Sequence, residues 1–127
     1  MFRTVFRPIG QAWAGEHLAA TIVLIGGNFL FNVIANSSFR LSATSPNWRG
    51  FLAWQVIGNL AGFVTVLTLT GLLRFVPLHV AYPITAGLAV IGVQVIGARL
   101  LFGEPISTTQ WLGTLLVAAG ILLIGGR

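Results

Sequence analysis

The charged residues of this chain are placed so that they leave four long uncharged windows. Residues 18–39, 50–73, 75–98 and 105–126 contain 22, 24, 24 and 22 positions without a formal charge. A helix of about 20 apolar residues crosses the hydrocarbon core of a bilayer, and a charge at its centre costs about 2.5–3.5 kcal/mol on insertion scales. The windows therefore predict four transmembrane helices that fill nearly the whole chain.

The composition is that of a membrane protein. Apolar residues make up 56% of the 127 positions, charged residues make up 7%, and the mean hydropathy is +0.93. A soluble domain carries about a quarter charged residues, because its surface must face water. The net charge of +5 comes from arginines at the predicted helix ends, where guanidinium groups meet lipid phosphates, so it does not indicate nucleic-acid binding. The absence of cysteine excludes disulfides, thiol catalysis and thiolate metal sites.

The windows divide the chain into a short tail and one membrane domain. We expect residues 1–16 to lie on the membrane surface and residues 17–127 to form the domain. Its helices are predicted at about 17–41, 50–74, 78–101 and 106–126. Ser107 or Thr108 is suited to cap the fourth helix. Every connection is shorter than about ten residues, so neighbouring helices are antiparallel and both termini lie on one side. Arginine counts of four against three on the two sides leave the orientation open.

Polar residues form a stripe on the first helix. Asn28, Asn32 and Asn36 are spaced four apart, and Arg40 continues the series. Residues at i and i+4 share a helix face, and a buried carboxamide must find hydrogen-bond partners. The stripe therefore either joins helices together or faces a polar cavity. Three further carboxamides can face that cavity or satisfy the stripe, namely Gln55, Asn59 and Gln94.

Titratable groups within the windows are few. The two carboxylates, Glu16 and Glu104, lie at helix ends, so the windows contain no acid that could exchange a proton for a cationic substrate. His79 follows Pro77 at a helix start, which favours an interfacial anchor. Tyr82 has an apolar ring and a polar hydroxyl, which suits the membrane interface or a cavity wall. The sequence contains no metal-ligand cluster, phosphate-binding loop or catalytic dyad, so we expect neither an enzyme nor a cofactor.

Three stretches give the chain a family resemblance. They are residues 32–42 (NVIANSSFRLS), 76–87 (VPLHVAYPITAG), and 102–105 (FGEP) followed by 113–121 (GTLLVAAGI). In this order and spacing they resemble the small multidrug resistance proteins and the wider drug/metabolite transporter superfamily, over about residues 18–126. The resemblance implies an all-α bundle of four transmembrane helices that forms a dimer, with a substrate chamber built from helices 1 to 3.

The family's functional positions carry over onto particular residues of this sequence. Tyr82 matches the binding-site tyrosine of the third helix, and Gly87 matches the first position of its glycine kink. The fourth helix makes the family's dimer contacts, and its small residues Gly113 and Gly120 are expected to lie there.

Three departures from the family pattern change the expected function. Asn32 stands where the family has its proton-coupling glutamate, Thr85 stands where a chamber tryptophan is usual, and Ala89 replaces the second kink glycine. Proton-coupled export of cationic drugs is therefore not expected. The chain instead resembles the acid-free branch, the paired small subunits of the bacterial inner membrane that flip aminoarabinose linked to undecaprenyl phosphate.

We therefore predict a transporter or flippase for a polar or lipid-linked, non-cationic substrate. Carboxamides can bond sugar hydroxyls, and an arginine can bind a phosphate through two parallel hydrogen bonds. The predicted partners are membrane lipids and either a second copy of the chain or a similar small subunit. One alternative is a structural or regulatory subunit of a larger membrane complex, and another is a relict exporter that couples through His79 or Glu104. The predicted binding residues are Asn28, Asn32, Asn36, Arg40, Asn59 and Tyr82.

Overall fold

The computed structural model describes residues 17–125, and the predicted surface tail at residues 1–16 lies outside this range. The helices are α1 (Leu18–Ala43), α2 (Trp48–Leu72), α3 (Leu78–Gly92) with a π-helical continuation (Val93–Leu101, the π segment), and α4 (Thr108–Gly125). Four spans in this range are long and apolar enough to cross a membrane, with α3 and the π segment forming one of them. The predicted all-α bundle of four transmembrane helices is confirmed, and each span begins and ends within two residues of its predicted position.

Short connections make the helices alternate in direction. Asn47 caps the start of α2, and its side-chain oxygen accepts a hydrogen bond from the backbone N–H of Gly50 at 2.7 Å. Pro77 directly precedes α3 and has φ −66° and ψ 154°, values that suit a residue just before a helix. Gly103 turns the chain after the π segment with φ +65°, a conformation that favours glycine. We call the end of the bundle that holds the first and third connections the Glu104 end, and the opposite end the His79 end.

The start of α4 is fixed by a reciprocal pair of hydrogen bonds. The backbone N–H of Gln110 donates to Oγ of Ser107 at 3.2 Å, and the backbone N–H of Ser107 donates to Oε1 of Gln110 at 2.9 Å. This is a capping box, which satisfies two backbone donors that a helix start leaves without partners. Of the two caps that the sequence suggested, Ser107 is the one used.

Glycines let α1 pack closely against two neighbours. A Cβ on Gly58 of α2 would lie 2.4 Å from the ring of Phe39, and one on Gly92 of α3 would lie 2.5 Å from the ring of Phe29. In lipid, helices associate through close packing and polar contacts, because the surrounding chains are as apolar as the helices. Contacts with α2, α3 and the π segment make α1 the central helix of the bundle.

The fourth helix lies at the edge of the bundle. It packs mainly against α3, where a Cβ on Gly87 would lie 2.7 Å from the side chain of Ile121. Only 6% of the residues in the apolar window of α4 are buried. Its outer face therefore meets lipid or a partner, and the leucines exposed on this helix are Leu112, Leu115, Leu116, Leu122 and Leu123.

The third span changes its hydrogen-bond pattern partway along. It is α-helical through Pro83 and Gly87 and becomes π-helical from Val93 onward, as shown by the backbone N–H of Phe102 donating to the carbonyl of Gly97 at 3.2 Å. A nine-residue π-helix is unusual, since this geometry occurs mostly as single turns and often at functional sites. The predicted kink position, Gly87, lies in regular α-helix, and the departure from regular geometry occurs nearer the Glu104 end.

Candidate functional site

The deepest asparagine of the stripe joins two helices. Asn28 on α1 is 4% exposed, and its Nδ2 donates to the backbone carbonyl of Thr65 at 3.0 Å and to Oγ1 of Thr68 at 3.2 Å, both on α2. A buried carboxamide without partners costs several kcal/mol in hydrocarbon, so these two bonds account for how Asn28 is tolerated at this depth. The hydrogen-bond partners of this asparagine across the helix interface are therefore two threonines of α2.

The next two asparagines extend a chain of hydrogen bonds along α1. Nδ2 of Asn32 donates to the carbonyl oxygen and to Oδ1 of Asn28, at 3.0 and 2.9 Å, and Nδ2 of Asn36 donates to the carbonyl of Asn32 at 2.9 Å. Among residues 17–125, no donor is bonded to Oδ1 of Asn32 or Asn36. Because Asn32 is partly exposed and Asn36 is exposed, both carboxamides keep hydrogen-bonding capacity for a ligand.

The stripe lines a cavity between the first three helices. This central cavity has a volume of about 300 Å³ and combines the polar side chains of Asn28 and Asn32 with the ring of Tyr82, which is 58% exposed. Its size suits a sugar or a lipid headgroup rather than a large ligand. Its full lining is Asn28, Asn32, Thr65, Val66, Leu69, Tyr82, Thr85, Ala86 and Ala89.

A second cavity continues from the first towards the Glu104 end. This α1–α3 cavity measures about 340 Å³, and Ala89 lines both cavities. It contains two carboxamides, those of Asn36 and Gln94, on otherwise apolar walls formed by Val90 and Val93. The three asparagines of the stripe therefore all line cavities, although Asn28 also holds α1 to α2.

A third and larger opening lies between the third span and α4. This α3–α4 cleft measures about 500 Å³ and shares Val90 and Gln94 with the α1–α3 cavity. Within it, Oγ1 of Thr114 donates to Oε1 of Gln94 at 2.8 Å, joining α4 to the π segment. Its full lining is Val90, Gln94, Ala98, Glu104, Pro105, Ile106, Gln110, Gly113, Thr114 and Val117.

Arg40, the last residue of the stripe, forms an ion pair. Its Nε lies 2.5 Å from Oε2 of Glu104, and its guanidinium carbon lies 4.2 Å from the ring centre of Phe102. The side chains of Arg40 and Glu104 are 39% and 43% exposed, so the pair itself contributes at most about 1 kcal/mol to stability. Its position matters more, because it fixes both a cation and an anion at the end of α1 where the α3–α4 cleft opens.

Other predicted site residues lie elsewhere. Asn59 is exposed on α2, outside the lining of the three cavities, and its Nδ2 donates to the carbonyl and Oε1 of Gln55 at 2.7 and 3.3 Å. Nε2 of Gln55 in turn donates to Oγ of Ser42 at 3.2 Å, so Gln55 joins α2 to the end of α1. His79 is exposed in the first turn of α3.

The glycines singled out by the sequence have different surroundings. Gly87 is covered by Ile121, whereas a Cβ on Gly113 or Gly120 would meet no atom within 4 Å. The predicted dimer-contact residues therefore leave space on α4 that another molecule can occupy. Residues 17–125 contain no group of three His, Cys, Asp or Glu side chains arranged to hold a metal ion.

Sequence reasoning missed two features of the site. The first is the pairing of Arg40 with Glu104, although the antiparallel order of the helices places both residues at the same end of the bundle. That shared end was a usable signal, because opposite charges at one membrane surface tend to pair. The second is the α3–α4 cleft, which forms because α4 packs against α3 and makes few contacts with the π segment, and which has no signature in the sequence.

Four membrane-spanning helices around polar cavities define this chain as a small multi-pass membrane protein of the carrier type. The chain belongs to the small drug/metabolite transporter family, as its similarity to known proteins shows. It is 35% identical over 81 residues to a probable 4-amino-4-deoxy-L-arabinose-phosphoundecaprenol flippase subunit ArnE of Pseudomonas fluorescens, covering 64% of this chain and 68% of that protein. The resemblance inferred from the three sequence stretches is confirmed at the level of the family.

Two other relatives extend this comparison. The Aeromonas salmonicida protein described as the same probable flippase subunit is 37% identical over 76 residues, covering 60% of this chain and 65% of the relative. An uncharacterized Sinorhizobium fredii protein is 32% identical over 112 residues, covering 84% of this chain and 95% of that protein. No family model matches the chain, and no solved structure matches it.

Proposed function

We propose that this chain is a flippase-type carrier, or one subunit of such a carrier, in a bacterial inner membrane. Its substrate would be polar or lipid-linked and would carry no net positive charge. The observation that supports this most is the central cavity, where the carboxamides of Asn28 and Asn32 and the exposed Tyr82 surround a volume of about 300 Å³. Such a set of neutral hydrogen-bonding groups suits binding and release rather than chemical catalysis.

The charge of the cavity favours a substrate that is not a cation. A carboxamide at Asn32 cannot release or take up a proton in exchange for a cationic substrate, as a carboxylate can. Within residues 17–125 the one carboxylate, Glu104, lies at the end of the bundle and is paired with Arg40. The proposed carrier therefore does not couple transport to a proton bound within the membrane.

A lipid-linked sugar phosphate fits the arrangement of polar groups. Sugar hydroxyls can donate to the unbonded Oδ1 atoms of Asn32 and Asn36, and they can accept from the second N–H of the Asn36 amide, whose first N–H is bonded to the carbonyl of Asn32. Arg40 has further N–H groups beyond the Nε bound to Glu104, and these can hold a phosphate. The two relatives described as probable aminoarabinose-phosphoundecaprenol flippase subunits support this class of cargo, and the word subunit supports a paired assembly.

A structural or regulatory role is the second candidate, and Asn28 is the residue that favours it. Its bonds to Thr65 and Thr68 join α1 to α2 and would be needed whether or not the chain transports anything. In that case Asn32 and Asn36 would only extend the same hydrogen-bonded chain. The two candidates differ in whether the central cavity holds a ligand.

Native mass spectrometry of the protein, extracted gently from its own membrane, tests the proposal. We expect an assembly of two small subunits that retains a polyprenyl-phosphate sugar, and we expect Asn32→Ala to lose that lipid. Thr70→Ala is the control, because Thr70 is exposed on α2 and its hydroxyl bonds only to the carbonyl of Val66 in its own helix. A protein found only in complexes with unrelated subunits, without a retained lipid, would favour the structural role instead.

A further inference from the structure

The α3–α4 cleft changes in character with depth in the membrane. Its rim at the Glu104 end carries Glu104 and Gln110, its middle holds the hydrogen-bonded pair Gln94 and Thr114, and apolar side chains line its inner end. Val117 lies nine residues inside the start of α4, which at 1.5 Å per residue places it about 14 Å from that end. The cleft thus runs from the membrane surface to about the middle of a hydrocarbon core that is about 30 Å thick.

The cleft exists because α4 follows only part of the third span. It packs against α3, where Gly87 receives Ile121, but it makes few close contacts with the π segment. The bond between Gln94 and Thr114 is the polar contact that joins them there. A Cβ on Gly113 would meet no atom within 4 Å, so this part of α4 leaves room beside the π segment.

The charged pair at the rim offers two different binding groups side by side. Arg40 uses Nε for Glu104, and its two terminal nitrogens carry four further N–H groups suited to phosphate oxygens. Glu104 uses Oε2 for Arg40, and its second oxygen can accept from an ammonium group. The ring of Phe102 lies under the guanidinium and limits where it can move. A ligand with both charges can therefore bind without breaking the pair.

We propose that the α3–α4 cleft, with Arg40 and Glu104 at its rim, is a binding site for a membrane lipid whose headgroup carries both a phosphate and a primary amine. The polar rim and apolar depth match a headgroup at the surface and a hydrocarbon chain below it. Such a headgroup carries no net positive charge. The role of the site as an entrance to the carrier rests on the proposed function, since the cleft meets the α1–α3 cavity at Val90 and Gln94.

Lipid titration followed by native mass spectrometry tests the site directly. The purified full chain is titrated with phosphatidylethanolamine, which has both a phosphate and a primary amine. The two comparison lipids are phosphatidylglycerol, which has no amine, and phosphatidylcholine, whose quaternary ammonium has no N–H. We expect phosphatidylethanolamine to bind about tenfold more tightly than either, as one charge-assisted hydrogen bond predicts. Equal binding of the three lipids by the unmodified protein would overturn the proposal.

Substitutions at the rim assign the two headgroup contacts. Glu104→Gln should abolish the preference for phosphatidylethanolamine over phosphatidylglycerol, whereas Arg40→Gln should weaken the binding of all three lipids about tenfold. Arg99→Gln is the matched control for charge, because Arg99 is exposed at the same end of the bundle but, unlike Arg40, forms no ion pair with Glu104, the charged residue of the cleft lining. A preference that survives both Glu104→Gln and Arg40→Gln would overturn the assignment.

A second pair of variants covers the case in which the rim variants fail to fold. An added Cβ would meet no atom within 4 Å at Gly113, which lines the cleft, or at Gly120, which lies outside its lining. Gly113→Leu therefore adds a side chain in the cleft, and Gly120→Leu adds the same side chain to α4 outside it. We expect Gly113→Leu to lose the lipid preference and Gly120→Leu to keep it. Loss in both variants, or in neither, would contradict a site in the cleft.

The mass of the lipid retained from the native membrane separates the two sources of this headgroup chemistry. A phosphatidylethanolamine or a polyprenyl phosphate bearing an amino sugar would each support the site, whereas a retained lipid without an amine would overturn it. Transport is measured separately, as movement of the retained lipid across reconstituted vesicles. Specific binding without transport would support the lipid site in the cleft and contradict the proposed carrier function. Transport without a preference for an amine would support the carrier function and contradict the lipid site.

Discussion

The interface between α1 and α2 and the interface between α3 and α4 are built differently. The first contains a buried asparagine with two interhelical hydrogen bonds and a glycine pressed against a phenylalanine ring. The second also has a glycine in close contact, Gly87 against Ile121, but among the described residues one side-chain hydrogen bond, between Thr114 and Gln94, joins α4 to the third span, and a cleft of about 500 Å³ remains beside it. The hydrophobic effect does not drive helices together in lipid, so close packing and interhelical hydrogen bonds determine which interface is rigid. The first pair of helices forms a fixed frame, and α4 is the part with room to bind or move.

The largest expected effect is a substitution that forces α1 and α2 apart. Gly58→Leu should destabilise the protein by about 3 kcal/mol or abolish its folding, because a Cβ there would lie 2.4 Å from the ring of Phe39 and 3.2 Å from the carbonyl of Ala35. An added Cβ on Gly62, one turn along the same helix, would meet no atom within 4 Å, so Gly62→Leu should have little effect. Thermal unfolding in detergent measures both, and equal destabilisation would contradict the close packing.

Removal of the buried carboxamide should weaken the same interface by a smaller amount. Asn28→Ala loses the bonds to Thr65 and Thr68, and we expect a loss of about 1–2 kcal/mol, near the upper range for polar contacts between membrane helices. Asn59→Ala serves as the stability control, because its carboxamide is exposed and bonds only within its own helix. If unfolding in increasing denaturing detergent shows no difference between them, Asn28 is not an interhelical contact.

The polar contact of α4 should contribute less. Thr114→Val removes the bond to Gln94 and should cost about 0.6 kcal/mol, the average for hydrogen bonds between membrane helices. A double-mutant cycle with Gln94→Leu isolates this contact, and the coupling should account for most of the single-mutant effect. A coupling above about 2 kcal/mol would mean that α4 is held as firmly as α2.

The smallest effect is expected on the outer face of α4. Leu116 is 66% exposed, so Leu116→Ala should change the stability of the single chain by less than about 0.5 kcal/mol. The same substitution can alter assembly if this face contacts a partner, which size-exclusion chromatography with light scattering would detect. A large loss of stability without a change in assembly would show that Leu116 packs against the bundle and is not exposed.

The membrane spans were predictable because few forces decide them. The length of an uncharged segment determines whether it can form a helix that crosses the membrane, and charged residues such as Arg40, Arg74 and Glu104 lie near the helix ends. The predicted and observed helix ends therefore agree within two residues. The family was predictable from three short stretches, which preserve order and spacing. These signals are local in the sequence and need no knowledge of how helices meet.

The partners of the polar residues were less predictable. Spacing of four places Asn28, Asn32 and Asn36 on one face of α1, but it does not give the rotation of α1 against α2, which decides that Thr65 and Thr68 receive Asn28. The π segment also has no sequence signature that separates it from an apolar α-helix. Side-chain partners and helix register depend on the packing of the whole bundle, and a single sequence carries that information only indirectly.

The π segment has a mechanical consequence for the distance between charges. A π turn contains more residues than an α turn, so the nine residues Val93–Leu101 form a shorter helix than nine residues of α-helix would form. Conversion of one such turn to α geometry would lengthen the helix and push the following connection, with Glu104, outward along the membrane normal. Arg40 stands at the end of a helix anchored to α2 and would stay in place. The backbone geometry of the π segment would then determine whether Arg40 and Glu104 remain in contact.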